Sequence, residues 1–329
     1  MARKKNRGAN LFLAIAVLVF CIVLYVVVVP KLANDNSSEE TTSIEMIADY
    51  KSGDIEKMSY VYKAGSDEEI ALQFRYVYST GKWLLDTDSD FPLNQTMIQN
   101  MASSIVSIPM ERRIEKGEIT LSDAGLDNPT LSVTVQYAFG DITYSLGNYN
   151  SFSSAYYLSV SGDDNIYMTK SPLISTFFYD LYELAELYRV PMLTADNVIL
   201  YDVALADSVE TYSDTAHIAY LSALSVYSAV DYDPNEETLA NYVLDGSMPT
   251  LKIKYTETQI VQNSDSSLSS SANLTKEKEL VIKIGGLCEG DDDKRYVMID
   301  DSQLVYTMSA STLNSLIDPT VGQSNTETN

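Results

Sequence analysis

The chain has 329 residues, room for about two ordinary domains or one domain with extensions. Its hydrophobic share is 45% and it carries 24 tyrosines, so a core of useful size is available. There are 46 carboxylates against 22 lysines and arginines, a formal charge of −24, and Arg3, Lys4, Lys5 and Arg7 sit in the first ten residues. A body of that sign is repelled by nucleic-acid phosphate and by anionic lipid at close range, and suits water, cations or basic partners.

MARKKNRGAN precedes LFLAIAVLVFCIVLYVVVV, a run from Leu11 to Val29 with no charged residue inside it. As a helix the run would be about 28 Å long against a hydrocarbon core of about 30 Å. The cationic flank predicts a cytoplasmic N-terminus and an extracytoplasmic body. A cleaved signal would have an apolar region of about 7–15 residues and small residues before the cut. Here the run is longer, and a cut after Ala33 would leave Lys31 two places before it. Phe20 before Cys21 also lacks the small residue that a lipoprotein signal needs. The reading is therefore an uncleaved single-pass anchor over residues 11–29, with a basic tail over 1–10 and a polar stalk over 30–43 that includes NDNSSEETTS. With Cys21 in the anchor and Cys288 in the exported body, no internal disulfide is expected.

Strands follow. Met58 to Lys63, Ile70 to Tyr78 and Lys82 to Leu85 are rich in Tyr, Val and Leu and are separated by Gly-containing breaks, which predicts a meander with Trp83 plugged into the core. Met97, Met101, Ile105 and Ile108 form one apolar stripe and predict a helix capped by Asn94 that packs on the sheet. Gly125-Leu126-Asp127-Asn128-Pro129 is turn chemistry leading into Leu131, Val133, Val135 and Tyr137, which alternate as one face of a strand. A Gly140-Asp141 turn leads to Ile142, Tyr144 and Leu146, stopping at Gly147. Tyr156 to Val160 and Ile166 to Thr169 are further strands. A helix from Pro172 to about Leu187 closes the unit, with Leu173, Phe177, Leu181 and Leu184 on one stripe.

The order then recurs. Pro234 to Tyr242 reads as a short helix, and Leu244, Asp245 and Pro249 repeat the turn. Leu251, Ile253 and Tyr255 alternate with Lys252 and Lys254, and Leu280, Ile282 and Ile284 lead to Gly285, the counterpart of Gly147. Tyr296 and Tyr306 stand as far apart as Tyr157 and Tyr167. Ser309 to Ile317 reads as a shortened closing helix, and Gln262 to Thr275 as a solvated insert in a hairpin loop. The expected fold class is α+β: one transmembrane helix, then two tandem sheet-plus-helix modules of mainly antiparallel strands, at 44–190 and 191–319, with a disordered tail at 320–329.

The strands leading to Trp83, the helix after them, Gly125-Leu126-Asp127-x-Pro129, Leu146-Gly147, Tyr156-Tyr157 and the Ile166-Tyr167 strand come in an order that resembles the domain of unknown function family 4340. The resemblance covers most of Ile55 to Leu187. It implies one N-terminal membrane helix, an exported body and an association with bacterial transporter or envelope machinery, and it carries over no catalytic residues.

Chemistry-bearing patterns are sparse. The single histidine, His217, leaves no two-histidine zinc site, and its DTAHIAY context alternates like a strand or loop, which favours a structural or exposed role. Asp291-Asp292-Asp293 and Asp163-Asp164 lack calcium-loop spacing and read as solvated turns. Cys288 has only Lys294 and Arg295 near it in sequence, too little to make it a nucleophile. No cofactor or metal site is expected. Tyr149, Phe152, Tyr156 and Tyr157, in YNSFSSAYY, combine aromatics with Ser and Asn as binding loops do, although tyrosine is also an ordinary strand former. Three functions stay open: a non-catalytic membrane-anchored scaffold or accessory protein for a transporter or envelope complex, a surface binder of wall glycan or peptide through the Tyr149–Tyr157 loop, and an envelope hydrolase using Asp or Glu.

Overall fold

The computed structural model describes residues 44–262 and 271–318. The expected basic tail, membrane helix and stalk, the hairpin tip at 263–270 and the C-terminal tail lie outside them. Among the described residues no helix is long and apolar enough to cross a membrane. In chain order the elements are β1 (Met46–Asp49), β2 (Ile55–Tyr62), β3 (Ile70–Val77), β4 (Lys82–Leu85), α1 (Gln95–Val106), β5 (Ser107–Pro109), β6 (Arg112–Ile114), β7 (Leu131–Tyr137), β8 (Gly140–Asn150), β9 (Ala155–Val160), β10 (Ile166–Thr169) and α2 (Leu173–Thr176). There follow β11 (Val198–Leu205), β12 (Ser208–Tyr212), α3 (Thr215–Leu221), β13 (Val226–Tyr232), α4 (Glu236–Asn241), β14 (Thr250–Gln262), β15 (Ser271–Cys288), β16 (Asp291–Ile299), β17 (Leu304–Ser309) and α5 (Ala310–Ile317). The fold is mostly antiparallel sheet with few, short helices.

β1 and β5 pair as a small two-stranded sheet; of the two large sheets, one has the order β4-β3-β2-β7-β8-β9-β10-β6 and the other β12-β11-β14-β15-β16-β17-β13. Remove β4 and the two orders correspond strand for strand. Alternation explains the strands: β7 buries Leu131, Val133, Val135 and Tyr137 and leaves the residues between them half-exposed, and β14 buries Leu251, Ile253 and Tyr255 between exposed Lys252 and Lys254. Each aliphatic side chain so buried contributes about 1.5–3 kcal/mol. From Ile47 onward the described residues form one compact unit, and a single apolar cluster runs from Tyr60, Val133 and Phe177 to Tyr201, Ile253 and Leu313.

The two turns preceding β7 and β14 are built alike. Leu126 N–H donates to Leu121 O and Gly125 N–H to Ser122 O, while Leu244 N–H donates to Leu239 O and Val243 N–H to Ala240 O. Both are Schellman closures with a left-handed residue, Gly125 at φ 69° and Val243 at φ 56°. The carbonyl just before that residue then accepts from the next-but-one strand: Asn148 N–H donates to Ala124 O, and Gly286 N–H to Tyr242 O. The donors are freed by matching bulges, between Leu146 and Tyr149 in β8 and between Ile284 and Leu287 in β15. At the residue before each donor a Cβ would lie 2.2 Å from Ala124 O (Gly147) or 2.5 Å from Tyr242 O (Gly285), so only glycine fits. Gly147 therefore does not stop its strand, as the sequence suggested; the ladder passes through a bulge and continues to Asn150.

Other expectations need correction. Pro129 and Pro249 are not equivalent, because the offset that takes Leu126 to Leu244 also takes Tyr137 to Tyr255 and sets Ser247 opposite Pro129. By the same offset Val133 matches Leu251, and Val135 matches Ile253. The helix expected over Pro172 to Leu187 is only Leu173–Thr176, although Leu173, Phe177 and Leu184 are buried. Past Phe177 the main chain finds tertiary partners instead of helical ones: Tyr179 O accepts from Tyr60 Oη, Leu184 O from Asn94 N–H, and Glu186 N–H donates to Pro92 O. Ile108 belongs to β5 rather than to α1, whose buried face is Ile98, Met101, Ala102, Ile105 and Val106, with Asn94 Oδ1 capping Met97 N–H as expected. The insert is not a loop over its whole length, since β14 and β15 stay paired out to Gln262 and Ser271.

Candidate functional site

Among the described residues, the loop of the first sheet that carries a fully exposed aromatic is the one joining β8 to β9. The ladder ends at Asn150 opposite Ala155, leaving Ser151, Phe152, Ser153 and Ser154 to turn the chain, with Ser154 at φ 52°. Asn150 builds this turn. Its Oδ1 accepts from Phe152 N–H at 3.0 Å and Ser153 N–H at 3.3 Å, and its Nδ2 donates to Tyr157 Oη at 2.8 Å. Held this way, Phe152 projects wholly into solvent (102% of its reference exposure) over a cavity of 520 Å³.

The cavity floor is apolar. β10 pairs with the three-residue edge strand β6, placing Ile114 opposite Ile166 and Arg112 opposite Met168. Ile114, Ile166, Met168, Ala155, Leu126 and Ala124 form a small cluster of their own on the face away from the main core, and Tyr157 and Ile119 pack on it. The rim is charged but internally paired: Arg112 lies 3.8 Å from Glu118, and Lys170 donates to Glu111 at 2.7 Å. With Asn150 already committed to the turn, the surfaces left for a ligand are the Ile114–Met168 floor, the Tyr157 and Phe152 rings and the rim ions. Such a site favours an apolar or flat ring-like group with polar substituents at its edge.

The four aromatics proposed from sequence are thus divided. Phe152 and Tyr157 line the cavity. Tyr149 and Tyr156 form a cross-strand pair with ring centroids 4.9 Å apart, and Tyr156 packs against the main core on the opposite face. Alternation along β9 separates Tyr156 from Tyr157. Asn150, Arg112, Ile114 and Met168 were not foreseen. Asn150 had a local signal, an Asn two residues before the turn's apex, whereas β6 is recognisable only through its partner β10.

The remaining candidates fall into structural roles. His217 sits in α3, not in a strand or loop, and its Nδ1 hydrogen-bonds Asp214, the residue that also caps the helix by accepting from Ala216 and His217 N–H. The His217 contact, followed by the backbone bonds, holds the Asp214 carboxyl below its ordinary range. Asp291 to Asp293 begin β16, with Lys294 paired to Asp291 at 2.9 Å. Cys288 is buried, which pushes its thiol up and away from thiolate. Among the described residues no group of three His, Cys, Asp or Glu side chains could hold a metal ion. Trp83 is buried, its main chain exchanging two hydrogen bonds with the Gln95 amide and its Nε1–H donating to Gln99 Oε1 at 3.2 Å.

No curated protein and no solved structure matches the chain. A family match begins at Trp83 and ends at Phe177, taking in β4, α1, the Gly125 closure, the Gly147 bulge and the Phe152 loop. Residues 83–177 match the family described as Domain of unknown function (DUF4340).

Proposed function

We propose that the protein is a membrane-anchored, extracytoplasmic, non-catalytic accessory protein that presents two copies of one sheet module to a partner in a transporter or envelope complex. The observation that carries this reading is the repeated closure: the same Schellman turn, the same bulge and the same obligatory glycine recur in both sheets. A scaffold written twice and joined through one core suits a rigid platform. The apolar run Leu11–Val29 with its cationic flank supports the anchor and its orientation. Crosslinking in intact membranes is expected to recover a defined second protein; recovery of the chain alone counts against the reading.

A second reading is favoured by the cavity under Phe152, whose apolar floor and aromatic rim suit a group of wall glycan or peptide. Retention of the full chain on purified wall material is then expected to fall in Phe152→Ala and Ile114→Asp and to persist in Tyr149→Ala. Retention that ignores Phe152 and Ile114 removes this cavity from consideration.

A further inference from the structure

A different cavity, of 580 Å³, lies between the segment that leaves the first sheet and the edge strand of the second. Tyr179, Asp180, Tyr182 and Glu183 line one side, and Tyr227 to Val230 of β13 line the other. It shares no lining residue with the Phe152 cavity. Its lining combines three tyrosines with two carboxylates and no cationic side chain.

The two carboxylates are fixed rather than loose. Asp180 N–H donates to Glu183 Oε2 and Glu183 N–H to Asp180 Oδ1, each at 2.9 Å, so both groups are held on one turn. Neither has an ion-pair partner among the described residues. The tyrosines are also placed: Tyr182 Oη donates to Asp231 at 3.3 Å, and Tyr179 is held through its carbonyl, which accepts from Tyr60 Oη. Tyr227 is half-exposed at 50% and forms the outer lip. The negative potential reaches inward, since Asp180 and Glu183 add to burial in pushing the Tyr60 phenol up. Ring faces and fixed carboxylates around one space are the chemistry that receives an organic cation.

We infer that this cavity receives arginine or lysine side chains from a basic, extended segment of a partner protein. Charge complementarity selects that occupant. A neutral or acidic segment gains nothing from the two carboxylates, whereas a guanidinium can pair with them while stacking on Tyr182 or Tyr227. Strand addition along β13 is not part of the contact, because its register breaks between Val226 and Ser228 and again between Ala229 and Asp231, and such bulges blunt an edge.

The test uses the full chain in detergent micelles and a fluorescein-labelled Gly/Ser peptide carrying three arginines, followed by anisotropy. Its citrulline counterpart serves as the uncharged isostere. Because the chain carries −24 overall, the comparison that decides is between variants of equal charge change. Asp180→Asn with Glu183→Gln keeps the acceptors of the turn and is expected to weaken binding about tenfold or more. Tyr227→Leu, which leaves that turn untouched, is expected to weaken it about threefold through loss of the ring face. Asp292→Asn with Asp293→Asn removes the same charge elsewhere and is expected to change affinity less than about twofold. Equal losses in the two neutralised pairs would reduce the effect to general attraction by an acidic surface and overturn the inference, as would equal binding of the citrulline peptide.

Discussion

The two sheets answer the same folding problem with different margins, and the differences separate what the scaffold requires from what each half adds. Both need a carbonyl, Ala124 O or Tyr242 O, to receive a bulge N–H across a glycine. They differ at the left-handed closing residue: Val243 holds it in the second sheet, whereas in the first a Cβ at Gly125 would lie 2.5 Å from the Asn148 side chain. The first sheet adds β4 with Trp83 and a four-residue turn that roofs a cavity. At the matching hairpin the second sheet turns in two residues, with Cys288 opposite Asp291. It instead lengthens β14 and β15 into a ribbon beyond the reach of the neighbouring strands, which pair with them only through Tyr255 and from Ile282. Shared features are structural by this test; divergent hairpins are where each half is free to specialise.

The largest expected effect concerns the strand that only one sheet has. Trp83 is 2% exposed, and Trp83→Ala is expected to destabilise the body by about 4 kcal/mol through lost burial and a residual cavity. Because one apolar cluster spans both sheets, thermal unfolding should remain a single transition that moves as a whole. Two transitions, only one of them displaced, would show that the sheets are energetically separate.

Next come the two glycines. Gly147→Ala is expected to cost about 3 kcal/mol and Gly285→Ala about 2 kcal/mol, in the order of their Cβ distances to backbone oxygens that cannot swing aside. Gly53→Ala, which meets nothing within 4 Å, is the control. Denaturant midpoints showing no difference among the three would remove the common closure from the comparison. Val243→Gly is smaller and opposite in sign: relief of the β-branched residue at φ 56° should raise stability by about 1 kcal/mol, partly offset by the greater freedom of the unfolded chain. A loss instead of a gain would mean that the packing of Val243 against Gly286 outweighs its backbone strain.

Much of this scaffold was legible where the signal is local. Period-two alternation located β7, β14 and the buried half of β15, and Asn94 announced its helix. Periodicity names the core-facing residues but not the path between them: Leu173, Phe177, Leu181 and Leu184 carry a helical stripe, yet Ser-Thr-Phe-Phe-Tyr is a poor helix former, and carbonyls with partners in β2 and at the N-cap of α1 draw the chain out of helix. The cavity under Phe152 was half legible. Its aromatics stand out in YNSFSSAYY, but the floor comes from β6, three residues that become a strand only by pairing with β10. The Tyr179–Val230 cavity had no sequence signal, since its two sides lie far apart in the chain.

The smallest expected effect tests the finest correspondence between the halves. Tyr167 and Tyr306 occupy matching registers, Tyr167 opposite Leu158 and Tyr306 opposite Val297, and each hydroxyl turns back to the residue four places earlier. In the first half that residue is Asp163, in the second Ser302. The Tyr167 hydroxyl, then the Asn165 backbone N–H, holds the Asp163 carboxyl below its ordinary range, whereas Ser302 has nothing to titrate. A carboxyl whose pKa is lowered by folding stabilises fully above its unfolded value, near 4, and that contribution fades as pH falls through the lower folded value. The turn is exposed, so the change in stability should be slight and is better read at the carboxyl itself. In Tyr167→Phe the Asp163 carbon resonance should titrate at higher pH than in the parent chain, while Tyr306→Phe should leave it unmoved. An Asp163 titration indifferent to Tyr167 would show that the backbone turn alone sets it, and that the two tyrosines share a register without sharing a role.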